Sequence, residues 1–264
     1  MKRDVKDIAA LNREAWDNQS SNGESRWVQP ADEQTIDQAR LGNWSVILTP
    51  TREVPRDWFG ELRGKRVLCL ASGGGQQVPV LAAAGAMVTS FDNSPRQLAS
   101  DQLVADREGL SLRTELGDMA DLSRFDDRSF DLIFHPVSNV FCAEIAPVWR
   151  ECFRVLDAGG RLLAGFMNPD FFLFDHLDIE QGDPLEVRFG LPYADPEHLS
   201  EQQMRDRVDA GEAIEFSHSL DAQIGAQLDA GFMLKGFYED RWSTEATPLN
   251  DYMPTSMATL AVKP

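Results

Sequence analysis

A short apolar run, Arg66-Val67-Leu68-Cys69-Leu70, passes through Ala71-Ser72 and ends in three consecutive glycines, Gly73-Gly74-Gly75. About seventeen residues beyond the last glycine, a second run, Met87-Val88-Thr89-Ser90-Phe91, ends in Asp92. Strand, glycine turn, helix, strand and acid form the arrangement that binds a nucleoside cofactor at the edge of a parallel sheet. Glycines let a ligand approach the backbone closely because no Cβ intervenes. An acid at the end of the second strand accepts hydrogen bonds from both ribose hydroxyls. Which nucleoside is held decides the function.

The rest of the chain keeps the same alternation. Helix is predicted near 76–84, closed by Gly85. A second follows Ser94-Pro95, a natural N-cap and first-turn proline, and runs to about Arg107. Strands follow at Leu112–Leu116 and Phe130–Phe134, then a helix from about Ala143 to Val155. Asp157-Ala158-Gly159-Gly160 turns into a fifth strand, Arg161–Phe166. A helix from about Ser219 to Ala230 precedes two last strands, Met233–Tyr238 and Met257–Val262, with no helix between them. Those two are therefore expected to be antiparallel neighbours. The predicted fold class is α/β: a doubly wound, mostly parallel, Rossmann-like seven-stranded sheet with an antiparallel C-terminal strand.

Two segments stand outside this pattern. Residues 1–60 read as an N-terminal helical flap, with Val5, Ile8, Ala9, Asn12, Ala15 and Trp16 on one helical face and a second helix over Asp32 to Leu41. The remainder, 61–264, reads as the cofactor-binding domain with an acidic insert at about 168–218. That insert holds thirteen acids against Arg188, Arg205 and Arg207. It is either a solvated surface excursion or a cap that favours a neutral or cationic substrate. The formal net charge of −18 and the lack of a basic stripe argue against nucleic acid and anionic membranes as partners. No apolar run reaches the roughly 20 residues of a bilayer span. Cys69, Cys142 and Cys152 sit in apolar contexts and read as reduced thiols of a cytoplasmic protein. Neither they nor the spacing of His176, His198 and His218, expected at the surface, suggests a metal site.

The order of motifs resembles the class I S-adenosylmethionine-dependent methyltransferases, and within them the small-molecule branch that includes quinone-biosynthesis C-methyltransferases. Val67 to Gly75 resembles the first motif, with Cys69 where the family often has an acid and Ala71 where it has the first glycine. Asp92 matches the ribose-binding acid. Gly117-Asp118-Met119 matches the step where an acid receives the adenine amino group and the next residue packs on the ring. Ser129-Phe130-Asp131-Leu132-Ile133 and Arg154-Val155-Leu156-Asp157-Ala158-Gly159-Gly160 match the fourth strand and the turn before the fifth. The resemblance implies S-adenosylmethionine as cofactor, with Ala71, Ser72, Gly73, Gly75, Gln76, Gln77, Asp92, Asn93, Asp118, Met119 and His135 around it. A dinucleotide fits less well: the G-x-G-x-x-G spacing fails at Val78, and no Tyr-x-x-x-Lys pair is present.

Methyl transfer from a sulfonium needs positioning and water exclusion, with a general base only where the acceptor holds a proton. The candidate base is His135, at the sheet edge after the fourth strand. The alternative is that it hydrogen-bonds a backbone carbonyl and shapes the pocket. Trp44, Asn139 and Phe171 are candidate acceptor contacts. The expected activity is methyl transfer to a small molecule. The alternative from another class is a non-catalytic S-adenosylmethionine-binding sensor or scaffold.

Overall fold

The computed structural model describes residues 5–23, 25–243 and 245–264. In chain order the elements begin with α1 (Val5–Asn22), α2 (Glu33–Arg40), β1 (Arg66–Leu70), α3 (Gln77–Ala83), β2 (Met87–Asp92), α4 (Pro95–Glu108), β3 (Leu112–Leu116) and β4 (Phe130–His135). They continue with α5 (Ala146–Val155), β5 (Leu156–Met167), α6 (His176–Glu180), α7 (Asp195–His198), α8 (Glu201–Asp209), α9 (Ala226–Asp229), β6 (Met233–Asp240) and β7 (Ser256–Val262).

One seven-stranded sheet runs in the order β3-β2-β1-β4-β5-β7-β6. The first five strands are parallel, and β7 is antiparallel to both of its neighbours. The order reverses at β1, between β2 and β4, so the ligand crevice of such a sheet opens beyond the carboxyl ends of these strands. β1 is apolar because both of its faces are covered. Val67 and Cys69 join a cluster with Ile36, Phe59 and Leu81, while Leu68 and Leu70 join another with Phe91, Trp149 and Leu162. Alternation along a strand sends successive side chains to opposite faces. At the far end of β1, Arg66 pairs with Asp131 at 2.5 Å and Asp157 at 3.3 Å, tying the bottoms of β1, β4 and β5 together.

Local departures from the expected elements have identifiable causes. The fifth strand starts early, at Leu156 opposite Phe130. Its pairing then jumps to Arg161 opposite Leu132, so the predicted turn at Asp157–Gly160 is an outward bulge inside the strand. The helix after β4 begins at Ala146, with Pro147 in its first turn. The helix expected from Ser219 opens with a π-helical turn, Asp221–Gly225, before α9. That wider turn lets Gln223 meet Asn139 while the Ala222 carbonyl accepts from the Trp149 indole at 3.0 Å.

The segments before β1 are bound to the sheet's carboxyl edge. A β-carbon at Gly165 of β5 would overlap the carbonyl oxygen of Leu48, so glycine lets Ile47–Pro50 lie directly on the strand. α1 is anchored by one buried amide. Asn12 donates to the carbonyls of Phe141 and Ile214, each at 3.0 Å, and its Oδ1 accepts from the Ile214 N–H at 2.6 Å. Among the described residues, no helix is long and apolar enough to cross a membrane.

Candidate active site

The turn after β1 is held from two sides. The Gly73 N–H donates to Asp92 Oδ2 at 3.0 Å, and Ser94 N–H donates to the other oxygen at 2.9 Å. The Gly75 N–H donates to Asp101 Oδ1 at 2.7 Å, and Ser90 Oγ donates to Asp101 Oδ2 at 2.6 Å. Asp101 is wholly buried on α4, and burial pushes its carboxyl up to about 7. A β-carbon at Gly73 would lie 2.8 Å from Gln97 Cβ, so this glycine lets the turn sit against α4. Burial also raises the Asp92 carboxyl above its ordinary value, opposed by the N–H groups that grip it. Beyond β3, Gly117 packs on the Phe91 ring, and Asp118 caps the Ala120 N–H at 2.9 Å while its side chain stays exposed.

These groups open into one cavity of about 860 Å³. It brings together ten of the expected residues: Ala71, Ser72, Gly73, Gln76, Gln77, Asp92, Asn93, Asp118, Met119 and Phe171. Four others fall outside its lining. Gly75 turns inward to Asp101. Trp44 packs edge-on against Phe59 at 5.0 Å and under the Arg56 guanidinium. Asn139 is fully buried, its amide donating to Gln223 at 2.8 Å. His135 is also fully buried, as the last residue of β4. Its Nδ1 lies 2.9 Å from the Leu70 carbonyl oxygen and its Nε2 2.8 Å from Asn139 Oδ1, so each ring nitrogen faces an acceptor. Burial lowers its basicity, against the raising effect of those two contacts. With both nitrogens engaged away from the cavity, His135 is not placed to take a proton from an acceptor. It joins β4 to β1 and to the π-helical turn.

The other three histidines are not free surface groups either. His218 reaches the carbonyls of Asn139 and Cys142, and His198 stacks on Tyr193 at 4.8 Å. His176 stacks on Phe171 at 3.9 Å and lines the cavity. Among the described residues its Nε2 has no hydrogen-bond partner, and burial pushes its pKa down to about 4. The cavity's roof comes from segments whose part the sequence reading left open. Ile8, Asn12 and Trp16 of α1 face Phe172, Arg207 and Glu215 of the 168–218 segment across it.

S-adenosylmethionine fits this arrangement. The acid of the second strand stands at the cavity wall beside a glycine turn that admits close approach. Among the described residues, Ser72 Oγ at the same wall is buried with no hydrogen-bond partner apart from its approach to the Cys69 thiol, which leaves it able to meet a polar ligand. Comparison with known proteins agrees. A family model described as a methyltransferase domain matches residues 68–164. The solved S-adenosylmethionine-dependent methyltransferase of Mesorhizobium loti superposes with a TM-score of 0.58 at 17% identity, covering 79% of this chain and 95% of that one. The 1,6-didemethyltoxoflavin-N1-methyltransferase of Burkholderia thailandensis does so with a TM-score of 0.59 at 13% identity, covering 100% of this chain and 92% of that one. The chain belongs to the class I S-adenosylmethionine-dependent methyltransferases and is an enzyme that uses this cofactor. It is 49% identical over 256 residues to the uncharacterized methyltransferase YbaJ of Bacillus subtilis (strain 168), covering 97% of this chain and 98% of that protein.

Proposed function

We propose that this methyltransferase transfers the methyl group to a small-molecule acceptor. The observation that carries the reading is the shared cavity. Its volume of about 860 Å³ sits in the upper part of the roughly 300–1,000 Å³ usual for small-ligand pockets. Residues of α1 and of the 168–218 segment contribute to its walls, as a pocket shaped for a small acceptor requires. The Burkholderia thailandensis relative in fold was solved with 1,6-didemethyltoxoflavin and S-adenosylhomocysteine bound.

In this reading Asp92 receives the ribose hydroxyls on its free lone pairs, while the Gly73 and Ser94 N–H groups fix the carboxylate. Asp118 and Met119 take the adenine edge and face. Ser72, Gln76 and Gln77 meet the amino acid end. When bound, S-adenosylmethionine supplies a methyl group already activated by its sulfonium charge. The chain's own work is to align the acceptor in line with that methyl group and to exclude water. Free Cys69, Cys142 and Cys152 suit a reducing compartment, which supports a cytoplasmic site of action.

The test has two stages. Calorimetry checks the cofactor, with measurable binding expected below about 1 mM. Labelled methyl transfer is then followed in cell extract separated by size. Label in the small-molecule fraction is expected; label confined to protein or nucleic acid refutes the reading.

A further inference from the structure

The charges around the cavity are lopsided. Among the described residues, its lining carries Asp92, Asp118, Glu144, Glu180, Glu212 and Glu215 against one guanidinium, Arg207. Asp92 and Asp118 belong to the cofactor end. The others lie over the carboxyl ends of β4 and β5 or in the 168–218 segment, where the acceptor must sit.

Arg207 is shared among three carboxylates. Its Nε donates to the Ala213 carbonyl at 2.8 Å and lies 3.1 Å from Asp195, a carboxylate with only 1% of its surface free. Asp195 is in turn saturated by the Tyr193 hydroxyl at 2.6 Å and the Glu215 N–H at 2.7 Å. Glu215 and Glu212 approach the same guanidinium only at 3.4 Å and 3.7 Å. One cation thus faces three carboxylates, and Asp195 has the closest hold on it.

Glu215 is nonetheless firmly placed. Its backbone is locked to Asp195 in both directions and its neighbour Phe216 bridges to Ala194. Among the described residues its carboxylate receives no hydrogen bond, keeps 31% of its side-chain surface and lines the cavity. Burial pushes it up to about 7, against the lowering pull of Arg207 and with the help of the Asp195 and Glu212 charges. Phe171 and the Phe171-stacked His176 line the same cavity and present flat apolar surface.

We propose that Glu215 is an acceptor-binding residue that recognises a positively charged nitrogen on an aromatic or otherwise apolar small molecule. The proposal rests on the small-molecule reading above. An ammonium group would complete the carboxylate's missing hydrogen bonds, and its ring would lie against the aromatic wall. An anionic acceptor would meet the surplus acids instead.

Charge-reversed probe pairs test this: phenethylamine against hydrocinnamate, and tryptamine against indolepropionate. Binding is read by ligand-observed NMR to the full chain loaded with S-adenosylhomocysteine. In at least one pair the amine is expected to bind about tenfold or more tightly than the acid. Glu215→Gln should remove most of that preference while S-adenosylhomocysteine affinity stays within about twofold. Glu215→Asp, which keeps the charge, should retain part of it and reads the same contact should the glutamine variant fail to fold. The proposal is overturned if no amine binds more tightly than its acid, or if the preference survives in Glu215→Gln. Failure of the small-molecule reading would appear separately, as label confined to macromolecules.

Discussion

Asp101→Asn tests how the glycine turn is held. The wild-type carboxyl is buried beneath the turn, accepting from Gly75 and Ser90, and titrates near 7 rather than at its ordinary 3.8. Below the ordinary value, folded and unfolded chains are both protonated there, and the group has no pH-dependent cost. As pH rises, the unfolded chain releases this proton first, so stability falls until the folded carboxyl also ionises near 7. Each pH unit in that window is worth about 1.4 kcal/mol, so the step from about pH 5 to about pH 8 costs about 3 kcal/mol. Asparagine keeps the geometry: Oδ1 still accepts from Gly75, and Nδ2 donates to a Ser90 hydroxyl that has rotated. The charge is gone and the pH-dependent cost goes with it. Urea unfolding of both proteins at the two pH values gives a difference of differences in which shifted groups not coupled to Asp101, such as Glu215, cancel. Asp101→Asn should lose about 3 kcal/mol less than wild type on going to the higher pH. Parallel pH dependences would refute the buried, proton-holding Asp101.

Three further substitutions probe separate parts of the site. Asp92→Ala should weaken S-adenosylmethionine binding in calorimetry by at least about 1.5 kcal/mol, since it deletes charge-assisted hydrogen bonds to the ribose; an unchanged dissociation constant removes Asp92 from the site. His135→Ala should cost about 2–4 kcal/mol in urea unfolding and only severalfold in turnover, because the ring's bonds are internal. A loss of kcat of about a hundredfold at unchanged stability would reinstate it as a base. Gly165→Ala should destabilise the fold by about 3 kcal/mol through the clash with Leu48; wild-type stability would show that Ile47–Pro50 is seated differently.

What the sequence made legible was local. Each parallel strand shows as an apolar run because both of its faces are covered, and the glycines and Asp92 lie within one strand–turn–helix–strand unit. The cavity's roof was not legible in this way. The apolar face of α1 is plain from its spacing, but Asn12 finds its partners 129 and 202 residues away. No local pattern points to Phe141 or Ile214. Asp101 left a readable sign: an acid in the apolar stripe of α4, among Leu98, Val104 and Ala105. A carboxylate on such a face must find donors in the interior, and here it finds the turn. For His135 the sequence left two readings open, and the contacts match the one in which it meets a backbone carbonyl. Its place at the end of β4 points to the crevice, but the Leu70 carbonyl and the Asn139 side chain draw both nitrogens inward. His176 owes its burial to Phe171, five residues earlier, which stacks on it only because the chain turns between them.

The unusual first motif and the buried acid are linked. Ala71 adopts φ +48, a left-handed conformation that costs a non-glycine residue about 1–2 kcal/mol. Its N–H donates to the Phe91 carbonyl at 2.8 Å, and the turn beyond is gripped by Asp92 and Asp101. Those fixed points offset the strain that glycine would have avoided. Cys69, where relatives of this class often carry an acid, is completely buried, and its thiol is pushed well upward by desolvation and by the nearby Asp101 charge. A carboxylate at position 69 would face Asp101 without a countercharge. A neutral thiol there leaves Asp101 as the acid beneath the glycines, reaching in from α4 rather than standing on β1. The turn is therefore anchored through a helix rather than by an acid on the strand.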